Sequence, residues 1–216
     1  MKKIILSIVI LMFNTSLFSH VGHYPDLNYL EYELTRNGKL IGKHTYDFKR
    51  DKNKTIINSD VSFKIVKLGI ELYKYEAKGK EIYENGNFLS FESKTNQNKK
   101  NKFAKISFNK EKNELIIEGS SFNGIAPKDF IVGTWWNHEI IKSKAQISAV
   151  SGRIIKQNVN FVGKETINVN GNNYNTLRFN FSSSDPSLSK DKKLNTDIWY
   201  EENNYLWVKA SLKRWE

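Results

Sequence analysis

The side chains most suggestive of chemistry lie in one short segment, GTWWNHEI, from Gly133 to Ile140. His138 could act there as a general base, with Glu139 beside it and two tryptophans to exclude water. Adjacent helical residues point about 100° apart, so Glu139 is not expected to orient His138 directly. The chain also has no cysteine and no Gly-x-Ser-x-Gly elbow to supply a nucleophile. A hydrolase using His138 is therefore the remote interpretation, and no catalytic residue is assigned.

The favoured interpretation of this segment is structural. One of Trp135 and Trp136 is expected to close the mouth of a hydrophobic core, burying about 150–250 Å². Asn137 is expected to cap a single short helix near residues 136–144. His138 would then face outward or contact a loop.

A binding role is the functional alternative to a filled core. Large aromatic side chains on a curled sheet can line a cleft for an apolar ligand. The candidate ligand contacts are Trp135, Trp136, Asn137, Tyr73 and Trp199. No cofactor is predicted.

Two other groups of polar residues could bind ligands but are interpreted more simply. His20 and His23 form the pair HVGH, which could chelate copper from a processed N-terminus, although such tails are usually disordered and tolerate any residue. The glutamates of the segment 71–84 resemble a carboxylate cluster. Because lysines interleave with them, they predict a solvated, charge-paired surface.

The N-terminus has the layout of a secretory signal peptide over residues 1–19. Lys2 and Lys3 precede an apolar run from Ile4 to Phe13, which is about half the length of a membrane-spanning helix. An uncleaved N-terminal anchor is the alternative. Cleavage after Ser19 would send the chain to the periplasm of a Gram-negative bacterium or outside the cell.

The remaining chain is expected to have a flexible start, 20–27, and a single antiparallel β domain, 28–216, that is monomeric. The absence of cysteine fits a bacterial periplasm, where disulfides are optional. The formal net charge is +11, and lysine supplies most of it. Since specific recognition of bases and phosphates favours arginine, we expect no nucleic-acid binding, but an attraction to anionic membrane surfaces.

Turn signals predict the fold class. Asn-Gly occurs at 37–38, 85–86 and 170–171, each time between alternating polar and apolar runs, which is the strongest short hairpin signal. About ten antiparallel strands are expected in an all-β meander that forms a curled half-barrel or barrel. The segment 120–134 is expected to be a crossing loop. In the last strand, Leu206, Val208, Ala210 and Leu212 are expected to face the core, and Trp207 and Trp215 the other side.

Four segments taken together resemble a known family. They are YELTRNGKLIGKH, IELYKYEAKGKEIY, GTWWN and TDIWYEENNYLWVKASL. The resemblance is to secreted bacterial proteins that carry only a domain-of-unknown-function label, and it covers nearly all of residues 28–215. It implies an all-β envelope protein and supplies no catalytic residues. The chain departs from the pattern where Trp-Asn-Pro is expected, because it has Trp136-Asn137-His138.

Two functions follow from these observations. The first is an exported, non-catalytic protein that binds or carries an apolar, lipid-like ligand in its curled sheet. The second is a structural or assembly factor of the cell envelope. It would act by protein–protein contacts through an exposed sheet face or edge, and an apolar stripe at Trp207 and Trp215 would be its signature.

Overall fold

The computed structural model describes residues 24–212 and is built from two β-sheets. The first sheet has eight strands in chain order. They are β1 (Tyr29–Arg36), β2 (Lys39–Asp51), β3 (Lys54–Lys67), β4 (Ile70–Glu84), β5 (Asn87–Gln97), β6 (Lys100–Asn109), β7 (Glu114–Gly119) and β8 (Asn123–Pro127). All seven neighbouring pairs are antiparallel.

The second sheet has six strands, arranged in the order β14-β13-β12-β11-β10-β9. They are β9 (Ile131–Val132), β10 (Ala145–Ile147), β11 (Ile154–Val169), β12 (Asn172–Ser183), β13 (Asn195–Glu201) and β14 (Trp207–Leu212). The pair β9–β10 is parallel, and the remaining pairs are antiparallel. The all-β, mainly antiparallel fold predicted from the sequence is confirmed.

The described residues contain fourteen strands where about ten were expected. The expectation of a crossing loop at 120–134 was wrong, because this segment contains β8 and β9. Strands of five and two residues are too short to show a clear alternation of polar and apolar side chains. The two sheets curl around a shared core, and in residues 24–212 neither sheet closes into a barrel.

The Asn-Gly hairpins form as predicted. Asn37 and Gly38 have φ angles of 51° and 73°, and Asn85 and Gly86 have 48° and 76°. Asn170-Gly171 shares this conformation, with 51° and 86°. Both central residues of a type I′ turn need positive φ, which Asn and Gly adopt at little cost. These turns fix the registers of the long hairpins β1–β2, β4–β5 and β11–β12.

The hydrophobic core lies between the two sheets in two clusters. In the larger cluster, aromatic residues of β2 and β4 pack against those of β12, β13 and β14. Its buried members are Tyr46, Phe48, Ile57, Tyr83, Trp136, Ile140, Leu177, Phe179, Phe181, Ile198, Tyr200 and Trp207. The smaller cluster joins β5–β8 to β9 and β10, through Phe91, Ala104, Ile106, Leu115, Ile117, Ala126, Val132 and Ile147.

The assignment of faces on the last strand was wrong for Leu212, which is 73% exposed, and for Trp207. The Trp207 side chain is buried in the larger core cluster, and its ring stacks on Tyr32 with centroids 4.1 Å apart. The register shifts between Trp199–Lys209 and Tyr200–Trp207, so Val208 is an extra residue in the ladder. A β-bulge of this kind breaks the alternation of faces, and it turns Trp207 inward.

The expected short helix is a 3₁₀ helix, His138–Ile141, and Asn137 caps it by accepting a hydrogen bond from the backbone N–H of Glu139 at 3.0 Å. A second 3₁₀ helix spans Lys190–Lys192. Among residues 24–212, no helix is long and apolar enough to cross a membrane.

Candidate functional site

Trp136 forms the centre of the double-tryptophan segment and is 2% exposed. Its ring meets Phe48 and Tyr83 edge to face, with centroids 5.4 and 5.8 Å apart. Such contacts add about 0.5–1.5 kcal/mol each to the burial of the rings. Trp136 therefore fills the core between β2, β4 and the 3₁₀ helix.

Trp135 adopts a backbone φ of 62°, an unfavourable conformation for a bulky residue. Buried tyrosines fix this turn: the Tyr46 hydroxyl donates to the Thr134 carbonyl at 2.5 Å, and the Tyr200 hydroxyl to the Trp135 carbonyl at 2.9 Å. Burial raises the pKa of both phenols well above the usual value, so they remain hydrogen-bond donors. The Trp135 ring packs edge to face on Trp207 at 5.8 Å.

A buried carboxylate completes this region. Glu81 on β4 is 3% exposed. Its two oxygens accept hydrogen bonds from the Trp136 indole N–H and the Tyr83 hydroxyl, each at 2.9 Å. Burial raises the pKa of Glu81, and the hydrogen bonds from Trp136, Thr134 and Tyr83 oppose that rise. The expectation that the glutamates of 71–84 are all solvated was therefore wrong for Glu81.

His138 lies in a second polar cluster with Tyr24 and Tyr205. The Tyr24 hydroxyl donates to the Tyr205 carbonyl at 2.5 Å and lies 3.1 Å from His138 Nδ1. Because the single proton of that hydroxyl is donated to Tyr205, a hydrogen bond between Tyr24 and His138 requires a proton on Nδ1. Nε2 lies 3.4 Å from Glu139 Oε1, a contact that sequence reasoning did not expect. Adjacent residues of a 3₁₀ helix point about 120° apart, so the two side chains must bend toward each other to make this contact.

The remaining two candidate contacts lie on other elements. Tyr73 stacks on Phe63 within the β3–β4 hairpin, with centroids 5.9 Å apart. Trp199 lies on the face of β13 opposite to the core residues Ile198 and Tyr200, between Arg178 and Lys209, whose charged groups are 4.9 and 4.8 Å from its ring. The structure thus brings Trp135, Trp136 and Asn137 together, but not Tyr73 and Trp199.

The ends of two neighbouring hairpins expose a set of aliphatic side chains, which we call the hairpin-end patch. It consists of Leu40, Val66, Leu68, Ile70 and Leu72. Leu68 is 93% exposed, and the others are between 48% and 65% exposed. Segments 36–43 and 64–74, which carry the patch, contain six lysines and arginines and one acid, Glu71.

A wide polar groove of about 1410 Å³, which we call the outer groove, lies on strands β2–β6. Its charged lining residues, such as Asp60, Lys78 and Lys94, alternate with the core residues Ile57, Phe91 and Ala104 along their strands. The groove therefore lies on the face of the first sheet that points away from the second sheet.

His20 and His23, the two possible metal ligands that the sequence suggests, lie outside the part of the chain that the structure describes. In residues 24–212, no group of three or more His, Cys, Asp or Glu side chains is placed to hold a metal ion.

The comparison with known families identifies the chain at the level of a domain. The family described as "Domain of unknown function (DUF6134)" matches residues 32–214. This chain belongs to that family. The matched region includes the double-tryptophan turn, Glu81, the hairpin-end patch and the outer groove. No curated protein and no solved structure matches the chain.

Sequence reasoning missed three features within the family match. The hairpin-end patch had a readable signal, because KLGI at residues 67–70 places leucine and isoleucine at a turn where polar residues are usual. Glu81 had a weaker signal: it shares the strand parity of Tyr83, which is a core aromatic. The outer groove depends on sheet curvature, which a single sequence does not encode in any local pattern.

Proposed function

We propose that this member of the family is an exported, non-catalytic, monomeric protein that binds the lipid surface of the bacterial envelope. The observation that supports the proposal is the hairpin-end patch, where five aliphatic side chains meet solvent at the ends of long strands. The layout of residues 1–19 as a signal peptide supports export.

Solvent exposure of this patch is unfavourable, and a bilayer surface would relieve it. Full burial of a Leu or Ile side chain contributes about 1.5–3 kcal/mol, so inserting Leu68 and Ile70 alone would contribute several kcal/mol. Basic residues near the patch add about 1 kcal/mol each when they approach anionic lipid. The excess of basic residues over Glu71 therefore favours an anionic surface.

The β3–β4 hairpin, which carries four of the five patch residues, is stiffened by aromatic side chains. Phe63 stacks on Tyr73 and on Tyr75, with centroids 5.9 and 5.0 Å apart. Burial also raises the pKa of Tyr75 to about 12. A rigid hairpin can present Leu68 to a membrane without a large loss of conformational entropy.

Carriage of an apolar ligand inside the sheets receives less support from the geometry than surface binding. Such a ligand needs space beside Trp135 and Trp136. Phe48, Tyr83 and Trp207 pack directly against these two rings. We therefore propose that lipid is contacted at the hairpin ends instead of within the core.

Co-sedimentation with lipid vesicles tests the proposal. The wild-type chain is expected to bind vesicles containing phosphatidylglycerol, and less strongly vesicles of phosphatidylcholine alone. Leu68→Ser combined with Ile70→Ser should weaken binding at least about tenfold, because two exposed anchors are lost. Since both side chains are exposed, the variant should unfold at the same temperature as the wild type.

A matched double variant controls for lost surface hydrophobicity. Ile125 and Leu212 are 61% and 73% exposed and lie on β8 and β14, away from the hairpin ends. Ile125→Ser with Leu212→Ser should leave vesicle binding unchanged. Equal loss of binding in both double variants, or no binding by the wild type, would refute the proposal.

A further inference from the structure

The outer groove is broad and its side chains are arranged in rows. Three rows cross strands β2–β6, as the strand registers show: one row contains Asp60, Lys78, Lys94 and Phe103 in directly opposed positions. Five strands at about 4.8 Å spacing make the groove about 19 Å wide. This width suits an extended polymer better than a single small molecule.

Positive charges face one another at the centre of the groove. Lys78 and Lys94 are directly opposite on β4 and β5. Lys78 has an ion pair with Asp60 at 3.6 Å, whereas within residues 24–212 none is formed by Lys80, Lys94 or Lys105. Like charges in opposed positions destabilise a sheet. Such a local conflict is typical of a binding site, where a ligand of opposite charge relieves it.

The groove lining carries both positive and negative side chains, which restricts the kind of ligand that it can bind. The lining contains five lysines and four carboxylates, together with eight uncharged Ser, Thr and Asn residues. A polyphosphate chain would meet repulsion from the carboxylates along its length. A polymer with few anionic groups and many hydroxyls would place its anions on lysines and its hydroxyls on the amides and carboxylates.

One aromatic ring on the groove fits the same class of ligand. Phe103 lies opposite Lys94 and is 44% exposed. Single-stranded nucleic acid sites use several aromatic platforms and favour arginine, and the lining of this groove contains one aromatic residue and no arginine. A sugar ring needs only one such apolar surface beside hydrogen-bonding groups.

From these observations we infer that the outer groove binds an acidic oligosaccharide, with Lys78 and Lys94 holding a carboxylate of the ligand. Asn96 and Asn101, which are hydrogen-bonded to each other at 2.8 Å, lie at the end of the groove where sugar hydroxyls would bind. This inference goes beyond the lipid-binding proposal and does not depend on it, because the hairpin-end patch contributes no residue to the groove lining.

Calorimetric titration of the full chain tests the inference. The probes are a uronic acid tetrasaccharide, its carboxyl-reduced form and oligothymidylate of similar length. The wild type should bind the uronate at least about tenfold more tightly than the reduced form. Lys78→Gln with Lys94→Gln should weaken uronate binding by a similar factor. Its thermal stability should be close to that of the wild type, because the variant removes both the repulsion between the lysines and the ion pair of Lys78 with Asp60.

Two lysines outside the groove provide the control. Lys142 and Lys164 are exposed and ion-paired with Glu139 and Glu202. Lys142→Gln with Lys164→Gln removes the same charge and should leave uronate binding within about twofold. Absence of uronate binding, equal binding of the reduced form, unchanged binding by the Lys78/Lys94 variant, or a preference for oligothymidylate would each overturn the inference. None of these outcomes changes what is expected of vesicle binding, which depends on the hairpin-end patch. The two proposals can therefore fail separately.

Discussion

The indole N–H of Trp136 donates a hydrogen bond to Oε1 of Glu81 over 2.9 Å, within the core between the two sheets. Glu81 also accepts a hydrogen bond from Tyr83, on its own strand. The carboxylate therefore ties the first sheet to the double-tryptophan turn, which in turn holds the 3₁₀ helix. A buried acid with this environment is a structural connection that several hydrogen bonds maintain.

Removing this acceptor should destabilise the protein. In Glu81→Leu, the Trp136 indole and the Tyr83 hydroxyl lose their carboxylate acceptor inside the core, which costs about 2–4 kcal/mol in total. Urea unfolding monitored by tryptophan fluorescence measures the loss. Glu76→Leu is the matched control, since Glu76 is exposed on the other face of the same strand, and it should change stability by about 0.5 kcal/mol or less. An unchanged midpoint in Glu81→Leu would contradict the role of the carboxylate.

The raised pKa of Glu81 predicts a stability that declines with rising pH. Burial raises the pKa above the ordinary 4.5 in the folded state, so the folded chain binds the proton more tightly than the unfolded chain. The contribution is fully present below pH 4.5 and is lost as pH rises through the folded pKa. Glu81→Gln cannot titrate, so its stability relative to the wild type should increase from pH 4.5 upward. Parallel stability curves for the two proteins would show that Glu81 does not titrate differently on folding.

His44 predicts a pH dependence of the opposite sign. Burial lowers its pKa from 6.5 to about 4, and its ring packs against Tyr46 at 4.5 Å and Trp207 at 5.9 Å. The unfolded chain takes up the proton first, so stability is complete above pH 6.5 and falls as pH drops toward 4. The difference between the two pKa values of His44 corresponds to a loss on the order of 3 kcal/mol in the free energy of unfolding. His44→Phe should abolish this fall in urea unfolding between pH 4 and 7. Glu81→Gln keeps His44, so this variant should still lose stability as the pH falls from 7 to 4.

Local chemistry made much of the fold predictable from the sequence. Asn-Gly fixes the hairpin at Asn37-Gly38 because both residues tolerate positive φ, and alternating side chains define β3 and β4 on either side of Leu68. Asn137 could also be assigned as a helix cap from the sequence, because its short polar side chain can accept a hydrogen bond from a nearby backbone N–H.

Features that depend on distant contacts were not predictable. The bulge at Val208 turns Trp207 into the core, and only the register against Trp199 and Tyr200 reveals it. The burial of Glu81 depends on Trp136, which is 55 residues away in sequence. Trp215, predicted to lie on the exposed face, and His20 lie outside the described residues, so those predictions stay open.

A second buried carboxylate, Asp197, lies on the outer face of the second sheet and forms an ion pair there with Arg178. Asp197 is 1% exposed, and its oxygens accept hydrogen bonds from Arg178 Nε at 3.1 Å and from Asn180 Nδ2 at 2.6 Å. The guanidinium of Arg178 also lies over the ring of Trp199 at 4.9 Å. The hydrogen bond to Asp197 raises the pKa of Arg178 above its ordinary value, so the guanidinium stays charged. Arg178 thus neutralises Asp197 and covers Trp199 at once.

Replacing only Arg178 should lower the free energy of unfolding more than replacing both Arg178 and Asp197. Arg178→Leu leaves a buried carboxylate without its cation and should destabilise the protein by about 3–5 kcal/mol, whereas Arg178→Leu with Asp197→Leu should be less destabilised than Arg178→Leu alone. Urea unfolding of the two single variants and the double variant gives the coupling energy. Lys209→Leu removes the other cation from the Trp199 ring at an exposed position and should cost about 1 kcal/mol or less. Additive losses in the double variant would show that Arg178 and Asp197 are not coupled, and that packing on Trp199 alone explains the effect of Arg178.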